Sequence, residues 1–560
     1  MTIHTVKATT FEQTNFEQWK EAAIQTLKGK PFESLMTATL EGIDLHPLYT
    51  RDNVSEGTNT VRVGKEQTGW VVAQQTYATD GKQFVSELKT ALARGNEAIV
   101  YDGTKSLEWD DVSLAEIAQL MVKYPMIVTN VARNDAFLKA FTFVPEVDRS
   151  AVKGAVAVAG WLIPAGFDHV RIYASDTWKA HHDGADAVTE LALTLAQAAE
   201  QLDKQENFHD FAERFFARFA VDTHFFMEIA KFRAFRMLWQ AFGTAYGVSE
   251  VPYVPIVAST SLRSYSKLDP YVNLLRAGNG AFSAVLGGAD VLTVHPHDIL
   301  TGPTESSVRF ARNIQLVIKE ESHADKVMDP AGGSYFIETL TAELVDKAWA
   351  LFVEIEAAGG YEAFLQQGYL AELLEKRRSE VAKGKTSLIG TNVYAELTDT
   401  NLTNWDGVNV EGRLAEPFEE VRALFAEEQP KTVLLTFGEL KDFKPRADFV
   451  GGFLATGGIR SEWSPAFPDA QAAIDWLTYE KPAYAIVCAT SAMAETVMDQ
   501  LLRDCPEEVL VDAAGKFEPA ITQQWLSAGL NGFIYGGQNK IDKLLDIQSK
   551  WKGAVPVEKA

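Results

Sequence analysis

A chain of 560 residues that is 46% hydrophobic, 11% aromatic and 23% charged has the composition of a globular protein, which excludes disordered, collagen-like and coiled-coil classes. The 52 basic and 76 acidic residues leave a net charge of -24, which repels phosphodiesters and anionic membranes, so neither nucleic acid nor membrane is an expected partner. Cys488 and Cys505 are too few for a disulfide scaffold or a Cys-based metal site. At roughly 150 residues per domain the length predicts three to four domains, or fewer if one is a large barrel. Met1 to Thr10 has no apolar segment after a basic one, and nowhere do about 18 apolar residues run together, so a cytoplasmic location is expected.

The spacing predicts an amphipathic helix, an LKGKPF turn and an apolar stretch over Phe16 to Leu40, ahead of the first βα repeat. Short apolar, β-branched runs then precede longer helical patterns, giving candidate strands at Glu97 to Tyr101, Met126 to Val131, His169 to Ala174, Pro255 to Thr260 and Asp290 to Val294. Such alternation predicts an α/β fold with a parallel sheet, and its span of roughly 330 residues suits a (β/α)8 TIM barrel whose function lies in the loops after the strands. Those loops include Ser175 to Asp183 and His295 to Asp298. His224 to Trp239 is apolar nearly all round and is expected as a buried helix with a Glu228–Lys231 pair. Periodicity weakens from Glu396 to Glu428, which reads as a linker. Beyond it, strands are expected at Thr432 to Phe437, Ala483 to Cys488, Glu508 to Asp512 and Gly532 to Tyr535, in a small flavodoxin-like domain. The domain boundaries are a contact arm 1–60, a barrel 61–395, a linker 396–430 and a C-terminal domain 431–560.

Several groups of residues invite a chemical reading. HHDGAD, with His181, His182, Asp183 and Asp186, offers imidazoles and carboxylates, but adjacent loop histidines point apart and no third ligand is spaced to close a metal site. It reads as a polar loop entering a helix. HPHD, with His295, His297 and Asp298, sits just past a strand, where barrel enzymes place acids and bases, and a structural loop held by Pro296 is the other reading. DPAGGSY (Asp329 to Tyr335) matches neither common phosphate-binding pattern and predicts a tight turn. Gly451, Gly452, Gly457 and Gly458 suit either close ligand approach or helix packing. Phe215, Phe216, Phe219, Phe225, Phe226, Phe232 and Phe235 predict core, and Cys488 ends a buried strand.

LKGKPFESL (Leu27 to Leu35), Glu41 to Ile43, PLYT (Pro47 to Thr50), FFMEIAKFRAFRMLW (Phe225 to Trp239), RFARNIQLVIKEE (Arg309 to Glu321) and DPAGGSYFIETL (Asp329 to Leu340) together resemble methylmalonyl-CoA mutase, in order and over essentially the whole chain. The resemblance implies a substrate barrel followed by a flavodoxin-like cobalamin domain, and an isomerase that interconverts methylmalonyl-CoA and succinyl-CoA through adenosylcobalamin radicals, as in propionate metabolism. The catalytic pattern is broken. The family's D-x-H-x-x-G stretch is GELKDFKPRADFVGG (Gly438 to Gly452), with Asp442 kept but Lys444 in place of the cobalt-ligating histidine and Ala447 in place of the glycine. A protonated lysine has no lone pair for cobalt. The S-x-L segment becomes CATS (Cys488 to Ser491), and the paired glycines become Ala513 and Ala514 before Gly515. In the barrel W-x-[IV]-R-Q-Y becomes Trp70 to Gln75 (WVVAQQ), losing the tyrosine and arginine, while S-G-Y-H becomes SDTWKAHH (Ser175 to His182), with Trp178 and Lys179 for Tyr-His.

The resemblance therefore implies the non-catalytic small (beta) subunit of a heterodimer, with no catalytic, cofactor-binding or metal-ligating residue assigned here. Adenosylcobalamin is expected in the catalytic large (alpha) partner. The competing readings are an active acyl-CoA mutase with an atypical cobalamin mode using His181 or His182, and a repurposed acyl-CoA-binding scaffold.

Overall fold

The computed structural model describes residues 3–8, 14–54, 65–398 and 407–554. From Val71 to Thr293 parallel strands alternate with helices: β1 (Val71–Ala73), β2 (Ile99–Asp102), β3 (Met126–Thr129), β4 (Gly154–Val156), β5 (Val170–Arg171), β6 (Tyr173–Asp176), β7 (Phe215–Val221), β8 (Ile256–Thr260) and β9 (Val291–Thr293). They pair as a 4-stranded sheet, β2-β3-β4-β5, and a 5-stranded sheet, β1-β9-β8-β7-β6. A parallel bridge joins Gln75, just past β1, to Val100 of β2, and Ile172 alone separates β5 from β6.

Side-chain alternation explains how both sheets are buried on two faces. Ile99, Tyr101, Met126, Val128 and Val156 face one helical layer, and Phe215, Ala217, Phe219, Ile256 and Ala258 face another. Their neighbours Ala73, Val100, Ile127, Ala155, Phe216 and Val257 meet in a single small cluster shared by both sheets. Only glycine serves at the start of β4, because Gly154 has φ +149° and a Cβ there would lie 2.2 Å from the Met126 carbonyl oxygen.

The five strands expected here form, with ends shifted by one or two residues, and His169 to Ala174 divides into β5 and β6. β1, β4 and β7 were not anticipated. The buried helix runs Phe225–Ala245, past the expected Trp239; the Glu228–Lys231 pair closes at 2.7 Å, and Phe226 is the apolar exception at 48% exposure. DPAGGSY is the predicted turn, and its Ser334 caps the helix Tyr335–Ala357.

In the N-terminal arm Asn15 and Gln18 form a capping box at the helix Phe16–Thr26, none of whose residues is buried. Trp19 meets Phe32 edge-on at 6.2 Å. Phe32 itself is buried, and further along the chain Ile43 is fully buried and Tyr49 packs against Phe336 at 4.9 Å.

The C-terminal sheet comprises β10 (Thr432–Thr436), β11 (Ser461–Trp463), β12 (Tyr484–Cys488), β13 (Leu510–Ala514) and β14 (Gly532–Ile534), all parallel, in the order β11-β10-β12-β13-β14. Residues 399–406 of the expected linker lie outside the described residues, and 407–428 are more structured than their composition suggests. Val408 N–H donates to the Ile299 carbonyl and Leu414 N–H to that of Arg263, so this segment lies across the ends of the first strands. A helix follows at Glu416–Ala426, with Phe418, Val421 and Phe425 buried. Among the described residues no helix is long and apolar enough to cross a membrane.

Candidate functional site

The carboxyl ends of β2, β3, β8 and β9 surround a cavity of about 440 Å³, roofed by Trp178–Asp183 and by Val408–Glu411. Arg218, mid-way along β7, reaches it from one side. Its guanidinium donates to Asp176 Oδ2 at 2.7 Å and lies 5.1 Å from the Trp178 ring, so charge and π-face both hold it. Lys179 is paired with Asp183 at 2.6 Å.

Trp178 organises the imidazoles. Its ring centre is 4.5 Å from that of His182 and 5.6 Å from that of His295. His182 Nδ1 contacts the Trp178 carbonyl at 2.8 Å, so Nδ1 carries the proton and Nε2 presents a lone pair; Nε2 is buried without a partner, as is His295 Nδ1. Burial, reinforced by His181, lowers the His182 pKa to about 3, and burial lowers that of His295 to about 4. Both rings are neutral at physiological pH.

His181 takes no part in the cavity. It is fully buried, with Nδ1 2.7 Å from Glu190 and Nε2 2.8 Å from Ser261 Oγ, in a cluster where Lys231 reaches Glu190 at 3.1 Å and Arg263 donates to Asp222 at 2.7 Å. The HHDGAD histidines end a short helix, Trp178–His182, which the cap Asp186 of the helix Ala187–Leu202 follows; instead of pointing apart their rings meet edge-on at 5.2 Å, although their hydrogen bonds go to different partners. In HPHD, His295 lines the cavity while His297 stacks on Tyr271 at 5.1 Å. Of the WVVAQQ segment, Gln75 reaches the cavity and Ala73 is buried in the shared cluster.

Sequence reasoning missed Asp102, Asn130 and Arg218. An arginine inside the apolar run FFARFAV was the one available signal. Asn130, directly after β3, has φ +57°, and its side-chain amide donates to Asp102 at 3.1 Å.

Beside the C-terminal sheet most of the GELKDFKPRADFVGG stretch is helical. Leu440–Thr456 forms one helix capped by Glu439 and Asp442, in which Lys444 pairs with Asp448 at 2.6 Å and lies 5.6 Å from the Trp463 ring. Two residues on, Arg446 donates to Ser491 Oγ at 2.8 Å, past the end of β12, and sits 5.7 Å from the Phe517 ring, past the end of β13. A Cβ on Gly515 would be 3.3 Å from its guanidinium carbon. Burial raises the Cys488 thiol to about 12 against the pull of Arg446, leaving it an inert strand end. Gly451 and Gly452 lie within the helix, and Gly457 packs toward Leu544. Among the described residues no group of three or more His, Cys, Asp or Glu is placed to hold a metal ion.

A family model, "Methylmalonyl-CoA mutase", matches residues 166–445, half of the chain, including the Trp178 roof, β6 to β9 and Lys444. The chain belongs to the methylmalonyl-CoA mutase family. The "Probable methylmalonyl-CoA mutase small subunit" of Mycobacterium tuberculosis is 33% identical over 67% of this chain and 66% of that protein. The methylmalonyl-CoA mutase small subunit of Porphyromonas gingivalis is 26% identical over 97% of this chain and 98% of that protein. The methylmalonyl-CoA mutase of Escherichia coli is 32% identical over 43% of this chain and 35% of that protein. The chain thus aligns to about two thirds of the mycobacterial relative's length.

Proposed function

We propose that this chain is the non-catalytic small subunit of a heterodimeric, cytoplasmic methylmalonyl-CoA mutase, whose large subunit holds adenosylcobalamin and interconverts methylmalonyl-CoA and succinyl-CoA. In this reading residues 1–60 are the contact arm, 61–395 a (β/α)8 barrel, 396–430 the connection and 431–560 a flavodoxin-like domain. The apolar cluster common to both first sheets, the Gln75–Val100 bridge and the Ile172 junction support closure of β1 to β9 into one barrel. The order β11-β10-β12-β13-β14 is that of a flavodoxin-like sheet, which binds its ligand in the crevice at the carboxyl ends of the strands.

The observation that carries the reading is the state of that crevice. Arg446 bridges the loops after β12 and β13, and the stretch that should offer cobalt an imidazole is a closed helical turn with an ion-paired lysine. These residues do not fit a cobalamin. The chain's contribution is then to support a partner, and the arm is the element that suits this, since no residue of Phe16–Thr26 is fully buried.

Deleting residues 1–40, which spares Ile43 and Tyr49, is expected to leave native-like melting and to abolish co-purification with the large subunit. Undiminished pairing of the truncated chain, or its collapse, would remove the arm from the interface.

A further inference from the structure

We propose that the cavity over β2, β3 and β9 binds a small organic cation with N–H donors, of the aliphatic primary ammonium class. The inference goes beyond the pairing with a larger chain and does not depend on it.

The charges come first. The two cationic side chains lining the cavity are already spoken for: Arg218 is paired with Asp176 at 2.7 Å and Lys179 with Asp183 at 2.6 Å. Of the lining carboxylates, Asp102 and Glu411 have no cationic partner among the ion pairs of the described residues. A bound carboxylate, such as a dicarboxylic acyl group carries, would face this acidic surplus without a free cation to meet it.

The unpaired atoms point the same way. His182 is 4% exposed and His295 7%; both line the cavity beside Trp178, and each keeps a buried ring nitrogen without a hydrogen-bond partner. Since Nδ1 of His182 donates to the Trp178 carbonyl, its Nε2 can only accept, and a ligand that satisfies it must donate. Asp102 is fixed at the end of β2: its Oδ1 accepts from Thr104 N at 2.9 Å and Thr104 Oγ1 at 2.6 Å, and Asn130 donates to both carboxylate oxygens. Asn130 adopts φ +57° to do so, and such left-handed non-glycine residues concentrate at ligand clamps. Val100, Ile127, Val257 and Ile299 supply apolar wall for a methylene chain. Acceptors, a preset carboxylate and an apolar wall suit an alkylammonium ion.

The test is titration calorimetry of the full chain in about 150 mM salt, where diffuse attraction to an acidic surface is screened. Three probes share a four-carbon span and differ in charge: 1,4-diaminobutane, 1,4-butanediol and succinate. Saturable binding of the diamine at one site per chain is expected, with no saturable heat from the other two. Asp102→Asn keeps the shape and removes the charge, and should weaken the diamine about tenfold, as loss of one charge-assisted contact does. His295→Gln gives an independent reading from the other wall, with a weakening in the same direction, while Glu507→Gln, far from the cavity in sequence and fold, should change nothing. Succinate binding in preference to the diamine, diamine binding untouched by both cavity variants, or no saturable binding by any probe would each overturn the proposal.

Discussion

Replacing Lys231 by methionine is expected to destabilise the N-terminal part of the chain by about 3–5 kcal/mol, the usual consequence of stripping one partner from a buried ion pair. Lys231 is fully buried; its Nζ reaches Glu228 at 2.7 Å, Glu190 at 3.1 Å and the Ala220 carbonyl at 2.8 Å. Burial alone would lower the lysine's pKa, but Glu190 and Glu228 outweigh it and raise it, so the cation is firmly held. Without it, two sealed carboxylates face one another, Glu190 keeping its 2.7 Å contact with His181 and the field of Arg263 and Arg377. Burial already raises the pKa of both glutamates. A raised acid binds its proton more tightly folded than unfolded, so stability is lost as pH rises through the folded value, and the deficit of the variant grows as pH rises above the ordinary glutamate range. Lys444→Met is the control: its pair with Asp448 is half-exposed and should cost less than about 1 kcal/mol. Urea midpoints of the first unfolding transition, followed for both variants, check this, and equal shifts would deny the cluster its structural weight.

Lys444→His is expected to yield no adenosylcobalamin-dependent turnover, even though it restores the family's missing side-chain type. A histidine there would sit in the first turns of the helix Leu440–Thr456, beside Asp448 and Trp463, while Arg446 still spans the crevice. The end of β1 and the loop after it would still offer Ala73 and Gln75 where the mutase pattern has arginine and tyrosine. Groups that act as a unit are non-additive, so repairing one recovers almost nothing. Succinyl-CoA formation by this variant without a large subunit would contradict the assignment.

What the sequence disclosed follows from the range of the interactions involved. β3 and β8 were legible because apolar, β-branched runs meet turn residues within a few positions. β1 and β4 are three residues each and include Ala and Gly, too short and too weak in β propensity to register. β7 is apolar on both faces, so FFARFAV showed burial without a period. The helix Glu416–Ala426 draws its order from packing, as where Phe425 stacks on Trp551 at 6.3 Å, which no local pattern encodes. At the cavity, His295 could be placed from its strand alone. The burial of His181 depends on Ser261, 80 residues away, and the bridging of the crevice by Arg446 on Ser491, 45 residues away. That Lys444 stands where the family pattern has histidine was visible in sequence, whereas the contacts of Arg446 with Ser491 and Phe517 were visible only in three dimensions.

The most direct measurement of the central claim is a spectroscopic titration of the isolated full-length chain with adenosylcobalamin, read through the visible absorbance of the corrin. With Lys444 ion-paired and Arg446 across the crevice, the spectrum should remain that of the free cofactor and no cofactor should be retained on gel filtration. Stoichiometric retention with a base-off spectrum would show that this chain carries a cobalamin site of its own and would contradict the account.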